Sequence, residues 1–284
     1  MGDAWVNEAL DYLVLHSASM FIWATTVADF LQENPERHFY ILKTREHKRG
    51  ADRFEELYSL YSTIIRTSFH SLEEEEIKAI TSVVSVTIFT KQPLDDTVLM
   101  RLPGVEDPHT LKFIKNGLIS VIDSGSTLRF YHRSFEDFLL HLPFSQCIGE
   151  LLAIQDRDLH EHQLAVLCLN TMVSSELHFN MCDLKSSSIK NVDIPTTDIS
   201  AISPLVSYSS QLWTDHLVRT QHGENLMKAV EFVMYEKLLF WIEVMSILGK
   251  AHEMFAILKR ALEWPGLAVC PEFISYITTL RLAG

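Results

Sequence analysis

The chain has 284 residues, of which 47% are hydrophobic, and a formal net charge of −13. This apolar content is sufficient for a buried core, so we expect a folded protein of roughly one to three domains. The excess of acidic side chains disfavours a phosphate backbone or an anionic bilayer as the principal partner, which predicts that the chain binds no nucleic acid and no membrane.

The location of the protein is predicted from its N-terminus and its cysteines. The sequence does not open with the basic and apolar segments of a secretory signal, and none of its four cysteines lie at C-x-x-C spacing. The stretch 12–31 is apolar but is interrupted by histidine, aspartate and hydroxyl side chains, so we interpret it as a buried helix and not as a membrane span. A cytoplasmic protein is expected.

Residues 1–70 are predicted to form a helical, lid-like segment. Apolar residues recur at helical spacing from Trp5 to Leu31, and Asn34-Pro35-Glu36 indicates a new helix with proline in its first turn. A further periodic run begins at Phe54, after a basic stretch that we interpret as a linker.

Residues 71–142 are predicted to form a winged-helix domain. Ser71 and Glu74 have the spacing of a capping box, and two shorter helices should follow, the second from about Pro108 to Gly117. Two β-rich runs, 118–122 and 128–132, are then joined by a turn-forming segment. Three short helices followed by a hairpin are the elements of a winged helix.

Residues 143–284 are predicted to form a helical domain with a polar interruption over 185–200. Trp213, Trp241 and Trp264 should anchor helix packing, or form a partner surface if they are exposed. The predicted fold is therefore mostly α: a helical bundle, a winged helix with a small β-hairpin, and a following helical, superhelix-like region.

The motifs of nucleotide and metal chemistry are missing from the sequence. Gly249-Lys250 is followed by Ala251, so the phosphate loop G-x-x-x-x-G-K-[ST] does not occur there or elsewhere. His252-Glu253 begins like a zinc-binding helix, but Ala256 stands in place of the second histidine. These observations predict a chain that is not an enzyme and holds no metal and no cofactor in isolation.

Several segments resemble one family. These are Met20-Phe21-Ile22-Trp23-Ala24, the run Phe130-Tyr131-His132-Arg133-Ser134-Phe135-Glu136-Asp137-Phe138-Leu139, and Leu238-Leu239-Phe240-Trp241-Ile242-Glu243-Val244. The second of them matches the signature F.H.SF.DFL. Together they resemble the region C-terminal to the NTPase core in fungal NACHT-type STAND NTPases, which are relatives of animal NOD-like receptors with roles like those of innate immunity. The resemblance covers roughly residues 10–262.

The resemblance implies one candidate site residue. In the full-length family, which binds ADP or ATP, the histidine equivalent to His132 reaches the β-phosphate of ADP, so His132 would sense phosphate if an NTPase core were supplied. The alternative is that His132 only closes a wing strand and packs among Phe130, Phe135 and Phe138.

Three functions follow as expectations. The first is a non-catalytic regulatory or scaffold segment of a NACHT-type signal-transduction protein, with an NTPase core or another protein as its partner. The second is a stand-alone helical adaptor that binds a protein through its C-terminal half. The third is a nucleotide-sensing module that a separate NTPase chain completes.

Overall fold

A computed structural model describes residues 4–17, 20–44, 53–101, 105, 107–123, 125, 127–140, 154, 157–186, 188–221 and 223–268. These residues are mostly helical and include a small two-stranded antiparallel sheet, which confirms the predicted fold class. The chain divides into two compact units, 1–155 and 156–284. The finer division into 1–70, 71–142 and 143–284 stays a prediction, as does a superhelix-like course of the later helices.

The first unit contains four helices followed by the elements of the expected winged helix. The four helices are α1 (Ala4–His16), α2 (Phe21–Glu33), α3 (Pro35–Thr44) and α4 (Arg53–Phe69). The later elements are α5 (Glu74–Phe89), α6 (Asp96–Arg101), α7 (Pro108–Gly117), β1 (Ile122–Asp123), β2 (Arg129–Phe130) and α8 (Arg133–Leu140). Most of the predicted basic linker, residues 45–52, lies outside the described residues.

Local sequence signals fix where several helices begin. Pro35 and Pro108 each start a helix, as predicted, and the Asp107 side chain accepts a hydrogen bond from the His109 backbone N–H at 2.9 Å. The predicted capping box is wrong by two residues. Glu73 is the N-cap of α5, and its backbone N–H donates to the Glu76 carboxylate at 2.9 Å.

The hairpin is shorter than the sequence suggests. β1 and β2 pair antiparallel over two residues each, with Ile122 opposite Phe130. The predicted strand 118–122 is mostly a turn, because the N–H groups of Leu118 and Val121 donate to Ile114 O and Leu118 O as the chain leaves α7. An isolated antiparallel bridge joins Asp95, before α6, to Thr127 beside the hairpin. The order of helix, bridge, two helices and hairpin agrees with the predicted elements, and the winged-helix assignment itself stays a prediction.

Helix α4 is the central packing element of the first unit. It packs against α2 and α3 and also against α7 and α8. The apolar side chains on its buried faces include Leu60, Ile64 and Ile65, each at most 1% exposed. Its C-terminal end meets the end of α7, where the Ser68 hydroxyl donates to Gly117 O at 2.6 Å. The α4–α7 contact therefore requires a small residue at position 117.

Gly117→Ala is expected to lower the free energy of unfolding by about 1–3 kcal/mol, because an added Cβ overpacks the contact. A Cβ at Gly117 would lie 2.6 Å from Cε1 of the buried Phe69 ring. Gly125→Ala is the matched control, since its Cβ would meet nothing nearer than an Asp123 carboxylate oxygen at 3.5 Å. Urea denaturation of both variants measures the effect, and equal midpoints would contradict this account of the contact.

The second unit is built from helices of different lengths. They are α9 (Arg157–Val173), α10 (Thr196–Ile199), α11 (Pro204–Leu217), α12 (Glu224–Phe232), α13 (Leu238–Ile247), α14 (Met254–Ala261) and α15 (Pro265–Ala268). Helix α9 packs along α11, and a π-helical turn, Val233–Lys237, joins α12 to α13. Trp213, Trp241 and Trp264 are at most 1% exposed, so they anchor the packing as predicted and do not form a partner surface.

Two of these tryptophans also bind the backbone. The indole N–H of Trp241 donates to Ser210 O at 2.8 Å, and that of Trp264 donates to Thr220 O at 3.1 Å. These bonds satisfy polar groups that burial would otherwise leave unpaired.

Across the part of the chain that the structure describes, no helix combines the length and the apolar character that a membrane span needs.

Candidate functional site

The candidate residue His132 lies where the hairpin ends and α8 begins. β2 ends at Phe130, and α8 starts at Arg133, so His132 occupies the N-cap position. The His132 side chain is exposed. It is therefore not enclosed by Phe130, Phe135 and Phe138, and its role stays a prediction.

The imidazole of His132 is held by Ser134. Its Nδ1 atom accepts a hydrogen bond from the Ser134 backbone N–H at 3.1 Å and lies 2.7 Å from Ser134 Oγ. A helix N-cap side chain ordinarily accepts from the backbone in this way. His132 thus caps α8 with a ring nitrogen instead of an oxygen.

These contacts fix the proton positions in a short chain of groups. Nδ1 must be unprotonated because it accepts from a backbone N–H, so the Ser134 hydroxyl donates to it. Ser134 Oγ then accepts from the Tyr61 hydroxyl, which is 2.8 Å away. In a neutral imidazole whose Nδ1 is an acceptor, the proton is on Nε2. The arrangement therefore gives His132 an Nε2–H donor.

Burial keeps the Tyr61 hydroxyl, the last group in this series of hydrogen bonds, protonated and able to donate. Tyr61 is 1% exposed, and burial raises its pKa to about 12. Its hydroxyl therefore stays protonated over the physiological range and continues to donate to Ser134. The Tyr61 ring packs edge-on against Phe135, with 5.0 Å between the ring centroids. Packing of α4 on α8 thus determines the orientation of an exposed imidazole.

The chemistry available at His132 is hydrogen-bond donation to an anion. Among the described residues, its Nε2–H has no partner, so it can donate to an oxygen of an incoming group. The Ser134 hydroxyl, which donates to Nδ1, is buried, so the exposed Nε2–H is the group that an incoming ligand can reach.

A cavity of about 300 Å³ lies beside the hairpin in the same unit. Its lining includes Lys91, Arg129, Phe130 and Glu136. Burial raises the pKa of the Glu136 carboxyl above its usual value, and the nearby Arg133 partly opposes this. Charges of both signs line this cavity, so it does not select strongly for an anion or a cation.

Sequence reasoning found His132 but missed the residues that orient it. Ser134 was available as a signal, because a serine two residues after the histidine, at the start of an amphipathic helix, occupies a capping turn. Tyr61 lies 73 residues before Ser134 in the sequence, so no local pattern connects the two.

The described residues contain no group of three or more His, Cys, Asp or Glu that could hold a metal ion.

Comparisons of the chain with protein-family models, with curated proteins and with solved structures found no match.

Proposed function

We propose that the chain is a non-catalytic regulatory and scaffold segment of a NACHT-type signal-transduction protein in the cytoplasm. It responds to ADP or ATP only when an NTPase core supplies the phosphate loop. The orientation of the His132 imidazole carries this proposal: Ser134 and Tyr61 hold Nδ1 as an acceptor, so Nε2–H is left as an exposed donor at the end of the wing. An imidazole N–H in this position suits a phosphate oxygen.

An exposed apolar face on α1 supports a protein partner for the first unit. Val6, Leu10 and Val14 recur every four residues and are 40%, 54% and 79% exposed. Phe21, at the start of α2, is 82% exposed. Apolar side chains grouped on one helix face are typical of a surface that another protein covers.

A second exposed stripe favours the alternative of a helical adaptor that works through its C-terminal half. Phe232, Tyr235 and Leu239 are spaced three and four residues apart along α12, the π-helical turn and α13, and each is exposed. π-helical turns are frequent at functional sites. The two candidate functions therefore place the partner on different units.

Charge pairing on α7 supports the expectation that the chain does not bind nucleic acid. The third helix of a winged helix is the element that reads DNA, and its cations here are Lys112 and Lys115. Lys115 Nζ lies 2.6 Å from the Asp96 carboxylate. An ion-paired lysine is less available to a phosphate backbone.

Co-purification from the cells that produce the chain separates these functions. We expect the tagged chain to bring down a protein partner, and Val14→Lys should abolish this while Val192→Lys, at an 88% exposed position of the second unit, should not. Loss of the partner with Leu239→Lys but not with Val14→Lys would favour the adaptor. A phosphate loop encoded upstream in the same reading frame supports a segment, and one on a separate chain supports the nucleotide-sensing module.

Nucleotide content of the purified assembly tests the role of His132. We expect His132→Asn to retain about tenfold less ADP, because it removes the Nε2–H donor while its side-chain oxygen still caps α8. His132→Ala should retain as little ADP as His132→Asn does, and its free energy of unfolding should in addition fall by about 1 kcal/mol. Calorimetry should detect no ADP or ATP binding by the chain alone that depends on His132. Hydrolysis by the isolated chain, or binding by it that His132→Asn abolishes, would overturn the proposal.

A further inference from the structure

A second cavity in the first unit is lined by basic and hydroxyl side chains. It has a volume of about 350 Å³ and lies among α2, α3, the end of α4 and α7. Arg37, His38 and His70 line it together with Ser68 and Asn116, and no aspartate or glutamate is among its lining residues in the described part of the chain. In a protein with a net charge of −13, a cavity lined only by neutral and basic groups is a departure from the overall composition.

His38 is the buried polar group of this cavity. It is 7% exposed, and its Nδ1–H donates to Phe30 O at 2.5 Å. Nε2 has no hydrogen-bond partner among the described residues, although it belongs to a buried side chain that lines a cavity. The Phe30 ring stacks on the imidazole at 4.2 Å and fixes its plane. A protonated imidazole on an aromatic face is further stabilised by the cation–π interaction.

Two other basic groups are available at the same cavity. His70 Nδ1–H donates to Thr67 O at 3.0 Å, so its second ring nitrogen is also left without a partner among the described residues. Arg37 is exposed and makes no ion pair with any described residue. An arginine without a carboxylate beside two imidazoles presents several converging donors once the rings are protonated.

We propose that this cavity binds a tetrahedral oxyanion, such as a phosphate group. Arg37 supplies a permanent charge, and His38 and His70 each donate from Nε2 after taking up a proton. Ser68 and Asn116 add neutral polar groups, and Phe113 and Ile119 form an apolar part of the lining that can contact an organic remainder. This site is independent of His132 and does not rest on the proposed function.

Sulfate titration followed by histidine side-chain NMR tests the proposal, because sulfate keeps its charge through the neutral range. Saturable shifts of the His38 and His70 resonances are expected, since each imidazole must gain a proton on Nε2 to donate to the anion. The basic groups that line the cavity are Arg37 and His38 on α3 and His70 after α4, and α2 and α7 contribute no acidic or basic side chain to the lining.

Variants distinguish a built site from general charge attraction. Arg37→Gln should weaken sulfate binding about tenfold, the effect of one lost charge-assisted hydrogen bond, while Lys190→Gln at an exposed position of the second unit should leave it unchanged. Equal urea midpoints for the two proteins would show that folding is intact. The proposal is overturned if no saturable shift occurs, or if the two variants bind sulfate alike.

Two further probes identify the source of the anion. Phenyl phosphate should bind more tightly than inorganic phosphate if the site takes a phosphate monoester, and Phe113→Ala should then abolish that difference without affecting inorganic phosphate. Equal binding of the two probes would assign the cavity to the free ion. With either probe, Arg37→Gln should weaken binding, and the His38 and His70 resonances should shift.

Discussion

Replacing Glu161 with alanine is expected to lower the free energy of unfolding by about 3–5 kcal/mol, because it leaves the buried His216 without its acceptor. Glu161 lies on α9 and is fully buried. Its carboxylate accepts from His216 Nδ1 at 2.6 Å and from the Arg219 guanidinium at 3.2 Å. His216 Nε2 is in turn 2.7 Å from the hydroxyl of the buried Tyr208.

The partners of Glu161 differ in how much they depend on it. His216 is fully buried, so after Glu161→Ala its Nδ1–H has no access to water. The Arg219 side chain is 44% exposed and can be solvated instead. Arg219→Gln is therefore the matched control, with an expected loss smaller than that of Glu161→Ala, because the glutamine amide can still donate to Glu161.

Urea denaturation of a double-mutant cycle measures this coupling. Glu161→Ala and His216→Ala remove the two ends of one buried bond, so the double variant should lose less stability than the sum of the single losses, by at least about 1 kcal/mol. Additive losses, or a Glu161→Ala effect as small as that of Arg219→Gln, would contradict the role of this network in joining α9 to α11.

Helix positions in the chain were predictable where a local signal decides them. Pro108 at the first helical position and the Asp107 side chain together start α7, and both are read directly from the sequence. The strand prediction over 118–122 failed because β-branched side chains were weighed without the C-terminal bonds of α7, which hold Leu118 and Val121 in a turn. Local propensity does not include these bonds.

The polar groups that matter most were not predictable, because the partners are distant in sequence. Glu161 and His216 are 55 residues apart and share no motif. His38 is in the first turn of α3. No sequence pattern distinguishes it among the 13 histidines, and only the structure places it with His70 at one cavity. His132 was found through a resemblance, and only the contacts with Ser134 and Tyr61 give its proton positions.

Replacing Phe135 with alanine is the second change for which we expect a large loss, again about 3–5 kcal/mol of unfolding free energy. Phe135 on α8 is 1% exposed. Its ring lies 5.0 Å from that of Tyr61, 5.4 Å from that of Phe130 and 6.0 Å from that of Phe138, measured between centroids. Truncation would leave a cavity among α4, β2 and α8 that no neighbouring side chain can fill without moving an element.

Tyr61→Phe separates this packing from the hydrogen bonds at His132. It keeps the ring and removes only the hydroxyl that donates to Ser134, so the expected loss is about 1–2 kcal/mol. Phe179→Ala, at a 72% exposed position in the second unit, should change stability by no more than about 0.5 kcal/mol. Urea denaturation followed by circular dichroism compares the three variants. An equal loss of unfolding free energy in Phe135→Ala and Phe179→Ala would contradict a packing role for the phenylalanines of the signature F.H.SF.DFL. If the losses rank as expected, the phenylalanines hold α8 on α4, and the exposed His132 remains as the part of the signature that is free to meet a ligand.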